Sequence, residues 1–234
     1  KYLYLKLMWD VNADIEALLD DWCAACLGDK AAPYLKRYFL DWEALWTGEA
    51  MTGTPWFAES KGGIYMQFGP ADYLLALQPG DLARFRKLLE QAAGLASTPA
   101  QRERAAVLMR EFEFFELSAK AYNAEQICPH GSLDSEAQAV ALVRALPDAL
   151  AAAERRRVLL ETAPGFDFNR ARAHLDFRDF IGEKLNLPAV FIDRPAVREA
   201  IAALSRDGGA PDWLRTQAAW MLRVTAGEPI DNLL

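Results

Sequence analysis

The 234-residue chain carries 33 acidic and 26 basic residues, a net charge of −7 at pH 7, and its isoelectric point is near 5.0. That balance argues against sequence-independent binding to nucleic-acid phosphates and against a polybasic membrane patch. Hydrophobic residues make up 52% of the chain, enough for a real core and unlike a disordered segment.

No run reaches the roughly 18 to 20 apolar residues needed to span a bilayer. The chain opens on KYLYLKLMWDVNADIEALLDDW, apolar and aromatic from the start, with no polar lead-in. The expectation is a piece cut from a longer protein, whose first helix has an apolar side made for a neighbour. In that case the absence of a secretory leader says nothing about export.

The helical period then dominates. Asn12 or Asp10 is expected to cap a helix to about Leu27, with Ile15, Leu18, Leu19, Trp22 and Cys26 on one face. Gly28 stops it. APYLKRYFLDWEALW makes the next helix, placing Tyr34, Tyr38, Trp42 and Leu45 at steps of three and four, and the two form a hairpin with a short turn. From Thr47 to Pro79 the period weakens in a glycine-bearing stretch with Trp56, Phe57, Tyr65 and Phe68. A loop that long with so many aromatics packs over a core or a cleft, with short helical turns or extended pieces inside it.

GDLARFRKLLEQAAGLAS next puts Leu82, Phe85, Leu89, Ala92 and Leu95 on one stripe. Ser97 or Thr98 caps a long helix that begins at Pro99 and runs to about Ile127. Its Leu108, Phe112, Phe115, Ala119 and Tyr122 step as a bundle seam. A helical region from Leu133 to Thr162 holds Pro147, which should kink or divide it. Within it, ERRR (Glu154 to Arg157) reads as a solvated helix face. PAVFID is the one candidate strand. AVREAIAALSRDGG and PDWLRTQAAWMLRV complete the helices, and AGEPIDNLL ends the chain as if entering a strand. The expected class is mainly all-α, a helical bundle or array cut from a longer protein. Its segments are 1–47, 48–79, 80–228 and a linker or strand start at 229–234.

The opening, with its Lys-Leu-x-Trp-Asp ending and acidic Leu-Leu-Asp helix, is followed by GDKAAPYLKRYFLDWEALW. Together they resemble the barrel-closing segment of a bacterial family of glycosidase-like proteins catalogued as a domain of unknown function. The corresponding part of alpha-glucuronidases is similar. LARFRKLLEQAAGLASTPAQRERAAVLMREFEFFELSAKAY is similar to that family's C-terminal helical region, so the likeness covers about residues 1 to 125. The final Asn-Leu-Leu is similar to the lead-in of jelly-roll carbohydrate-binding modules. The resemblance implies a (β/α)8 barrel upstream as this segment's partner in the same polypeptide, and a β-sandwich downstream. It also implies a secreted or cell-surface setting and glycan degradation by the parent.

Glycoside hydrolysis needs two carboxyl groups facing one bond, about 5 to 9 Å apart, and in barrels they stand at the strand ends. Here Asp20 and Asp21 are adjacent on a helix and point to different sides, while Asp10 reads as a cap. No GxSxG elbow, P-loop, HExxH or dinucleotide glycine pattern occurs. His130 and His174 stand singly. Cys23 and Cys26 in CAAC, with Cys128 beside His130, contain the residue types of a zinc site but not a spacing that joins them, so inert thiols are expected. No cofactor is called for.

Sugar binding falls to Trp56 and Tyr65, whose rings can stack on sugar C–H faces or else staple the bundle to the barrel. The first reading is a non-catalytic helical domain behind a glycosidase-like barrel. The second is an independent helical module binding glycan or protein, and the third a small enzyme with an unfamiliar site.

Overall fold

The computed structural model describes residues 2–62, 72–128, 131–164 and 184–227. Among the described residues there are ten α-helices and no strand, so the all-α expectation holds. The chain divides into two compact units, 1–116 and 117–234.

In the first unit α1 (Tyr2–Trp9) leads into α2 (Ile15–Leu27). The cap of α2 is neither Asn12 nor Asp10. Asp14, in extended backbone, accepts from the amides of Glu16 and Ala17 at 2.9 and 3.3 Å. The Asp10 carboxylate is occupied one turn earlier by the Asn12 amide. Gly28 ends α2 at a φ of 94°, a region costly for any side chain, and a Cβ there would meet the Gln101 amide nitrogen at 2.8 Å. After three residues α3 (Ala32–Thr47) begins and packs against α2 as expected, burying Leu35, Tyr38, Asp41 and Leu45.

The weakly periodic stretch is largely helical turns. It forms α4 (Glu49–Thr52), α5 (Pro55–Ser60) capped by the Thr54 hydroxyl, and a 3-10 segment over Asp72–Ala76. α6 (Pro79–Gly94) packs on α3 through Leu82, Phe85, Leu89 and Ala92. Leu95, expected on the same stripe, is 40% exposed because the helix has already ended.

α7 (Pro99–Ile127) starts where the caps predict. Thr98 Oγ1 accepts from the Gln101 amide, and Gln101 Oε1 accepts in return from the Ser97 and Thr98 amides, which satisfies several otherwise orphaned donors. Residues 99–116 of this helix belong to the first unit and 117–127 to the second. Of the expected seam, Phe112, Ala119 and Tyr122 are buried while Leu108 and Phe115 are half-buried.

In the second unit α8 (Glu136–Thr162) is one helix, capped by Ser135, and Pro147 does not divide it. Leu142, Val143, Leu146, Ala149, Leu150, Ala153 and Leu160 are buried along it. Arg156 is buried as well, at 4% exposure, so ERRR is not wholly a solvated face. Position 156 falls three and four residues after Ala153 and Ala152 and four before Leu160, on the buried stripe, and its Nε donates to Ser118 Oγ at 2.8 Å. Arg157, beside it, faces solvent and is held by Glu154 and Glu161.

PAVFID is not a strand either. Residues Lys184–Phe191 form a 3-10 segment packed on α8. α9 (Pro195–Arg206) buries Val197, Ala200, Ile201 and Leu204 against α8 and α10 (Asp212–Thr225). Asp207 holds the turn between α9 and α10 by accepting from the Gly209 amide. No helix among the described residues is long and apolar enough to cross a membrane.

Candidate functional site

Of the two residues singled out for sugar stacking, Trp56 falls among the described residues. Trp56 is 1% exposed, and its ring meets Trp46 at 5.9 Å and Tyr73 at 5.7 Å, both edge-on. Thr54 and Pro55 start α5 and turn the indole inward, and the 3-10 segment closes over it. A sugar reaching the Trp56 face would first have to open this cluster. Tyr65 lies outside the described residues, as do His130, His174 and the terminal PIDNLL.

Several carboxylates of the opening helices are engaged by nearby donors. Asp20 and Glu16 both accept from Lys36 Nζ at 2.8 Å, which raises the lysine pKa. Asp21 accepts the Tyr2 hydroxyl and so raises the pKa of that phenol. Asp41 is bridged by Arg37 at 2.7 Å and Arg84 at 2.9 Å. None of these is an arrangement of two carboxylates across an open cleft. Among the described residues no group of three or more His, Cys, Asp or Glu stands where it could hold a metal ion.

Cys23, Cys26 and Cys128 are thiols, not disulfides. Burial pushes the Cys23 thiol up to about 11 and moves Cys26 in the same direction, which leaves little nucleophilic thiolate near neutral pH.

The most distinctive surface is α1 itself. Leu3 and Leu7, four residues apart, are half-buried on one side. Tyr4, Leu5, Met8 and Trp9, spaced i, i+1, i+4 and i+5, share another side and are 64 to 94% exposed. Val11 and Ile15 extend the apolar surface past the helix end. Lys6 is the one charged residue in an otherwise apolar helix. A helix apolar on nearly all sides is ordinarily buried on nearly all sides.

Beside this face lies a cleft of about 560 Å³ lined by Tyr2, Leu5, Lys6, Trp9 and Leu18 among others. Lys6 Nζ stands 5.4 Å from the centre of the Tyr2 ring. The Tyr2 hydroxyl bond to Asp21 pins α1 to α2, so the exposed side of α1 is held in a defined orientation on the hairpin.

The sequence reading missed several polar anchors. Arg104 donates to the carbonyls of Cys26 and Ala25 at 2.7 and 3.3 Å, satisfying the C-terminal end of α2 from α7. Lys184 is 5% exposed and meets Cys128. Neither had a local signal, because each partner is 56 to 79 positions away.

The family described as "Domain of unknown function (DUF4838)" matches residues 1–40, which span α1, α2 and the first half of α3. The likeness read from the opening motif therefore holds at the level of a domain-of-unknown-function family. No curated protein and no solved structure matches the chain.

Proposed function

We propose that this chain is a non-catalytic helical portion of a larger carbohydrate-degrading polypeptide. In this reading the exposed side of α1 packs against the body that precedes it, a glycosidase-like barrel. One observation carries the docking claim: Tyr4, Leu5, Met8 and Trp9 form a contiguous, oriented apolar face with nothing packed on it among the described residues. Burying side chains of this size stabilises by about 1.5–3 kcal/mol each, so such a face is a strong driving term for association. The glycosidase character of the partner rests on the resemblance of the opening motif, and the match over residues 1–40 falls on the segment that carries it. The engaged carboxylates of α2 and α3 agree with a segment that contributes no acid–base pair of its own.

Hydrogen exchange across α1 tests the docking claim, comparing the 234-residue chain with the polypeptide encoded by the whole open reading frame around it. Slow exchange of α1 only in the longer polypeptide is expected. Equal exchange in both overturns it, and so does a reading frame with no barrel-like βα pattern upstream. Turnover of an aryl-glycoside by the 234-residue chain alone would end the non-catalytic reading. The rival, an independent glycan-binding module, draws on the 94% exposure of Trp9. It predicts glycan-array binding by the isolated chain that is lost in Trp9→Ala.

A further inference from the structure

Cys128 follows the last residue of α7, and Lys184 opens the 3-10 segment of the second unit. They are 56 positions apart in the chain, yet Lys184 Nζ lies 3.4 Å from Cys128 Sγ. The thiol is fully buried and the lysine is 5% exposed. Lysine is rarely buried to that extent. The sulfur is also held by its own helix, since Sγ donates to the Ala124 carbonyl at 3.0 Å. Two nucleophilic atoms are therefore held, on separate elements, at the separation of about 3–3.5 Å from which bonds form.

We propose that Cys128 and Lys184 form a reversible covalent N–O–S crosslink in which dioxygen supplies the bridging oxygen. The amine and the thiol each give up one hydrogen. One oxygen atom of dioxygen inserts between them, making one N–O and one O–S bond, and the other leaves as water with the two hydrogens. Nitrogen and sulfur are each oxidised by two electrons, and the four electrons reduce the two oxygen atoms. Four hydrogen atoms from two equivalents of a dithiol reverse the reaction, returning amine, thiol and water.

Burial makes the pair suited to this product. Peroxides that would drive an exposed cysteine to higher acids meet it less often, and a small dithiol added in excess reaches it through local opening. Dioxygen is small and apolar, and it can enter by local opening of the packed helices. The crosslink would tie the end of α7 to the 3-10 segment and close a loop of more than fifty residues, which restricts the unfolded chain.

Intact mass and peptide mapping test this, on the 234-residue chain purified in air and compared with chain kept anaerobic and reduced. A gain of about 14 Da, one oxygen less two hydrogens, is expected in air, with the peptides of Cys128 and Lys184 joined. Dithiothreitol should remove the gain, which distinguishes it from methylation, and lower the thermal midpoint of the wild type. Cys128→Ser and Lys184→Arg should each show no gain. The wild-type measurement needs no substituted protein, so a variant that folds poorly leaves the test intact. Four outcomes overturn the proposal: an unchanged mass, a gain of about 16 Da on Cys128 alone, a loss of about 2 Da from a direct S–N bond, or a gain that survives in Cys128→Ser.

Discussion

The indole of Trp42 lies flat on the ring of Phe85, with centroids 4.5 Å apart and planes 12° from parallel. This contact joins α3 to α6. Phe85 also meets Tyr38 and Phe112 edge-on at 6.0 and 6.4 Å, so one fully buried ring links three helices of the first unit. Phe85→Ala should therefore cost about 3–5 kcal/mol, through lost transfer energy and the cavity left behind. Phe85→Leu should cost under about 2 kcal/mol, because most of the volume is kept. Urea unfolding followed by Trp fluorescence reads both, and equal losses would show that the site collapses around the smaller side chain.

Asp41 is a buried carboxylate with two guanidinium partners, Arg37 and Arg84. Removing the acid releases two bases that are half-exposed or more and can be rehydrated. Removing Arg84 alone leaves Arg37 in place. Arg84→Ala should thus cost below about 1 kcal/mol, since the side chain is half in solvent and screened. Asp41→Ala should cost about 1–3 kcal/mol. A double-mutant cycle in urea checks the pair, with a coupling that shrinks as salt is raised.

Arg104 closes the end of α2 from a different helix. Arg104→Ala should lower stability by about 1 kcal/mol, the usual net value of such bonds. Gly28→Ala, at the same turn, forces a side chain into positive φ and against Gln101, at a cost of about 1–2 kcal/mol. Thermal melts of the two single variants and the double measure both terms. Because both act on one turn, the sum of the single effects should exceed the effect of the pair.

Burial pushes the Tyr38 phenol up to about 12 from its ordinary value of 10.0. The unfolded chain therefore loses this proton first as pH rises, and between pH 10 and 12 it binds fewer protons than the folded chain. The Tyr38 contribution is fully present below pH 10 and is lost as pH climbs toward 12. Tyr38→Phe removes the titrating group, so its stability should fall less steeply across that window than the wild type's. Chemical denaturation at pH 9, 10, 11 and 12 gives the comparison, and parallel curves would contradict the assignment.

The exposed side of α1 makes the opposite prediction to the core. Leu5→Ser and Met8→Ser should each leave the stability of the chain within about 0.5 kcal/mol, because these side chains already stand in water. A loss comparable to that of Phe85→Ala would mean that the helix packs on the chain in solution more fully than its exposure shows.

Much of the helical order was legible because it is written locally. Gly28, Pro99 with Thr98, and the stripe of α6 act within one or two turns, over distances that a period of 3.6 resolves. Errors arose where a local signal had rivals. Asp10, Asn12 and Asp14 are all acceptable caps, and only the backbone geometry selects Asp14. PAVFID has strand-like composition but coils into a 3-10 segment once Leu185 and Pro188 are buried in its own unit. Trp56 has the same residue type whether it faces a sugar or a core, and the turn at Thr54 with the packing of Trp46 and Tyr73 places it inside.

By itself, the order of residues determined a mainly helical chain, most of its helix starts and stops, and a first helix too apolar to stand in water on every side. Those properties depend on propensity, capping and period, which need only neighbours a few positions away. Tertiary structure alone decided that Arg156 and Lys184 go inside, that Arg104 finishes a helix it is not part of, and that Trp56 is enclosed while Trp9 is bare. Each of those outcomes depends on which distant groups arrive alongside, and a polar side chain is stable in the interior only when such partners are there to satisfy it.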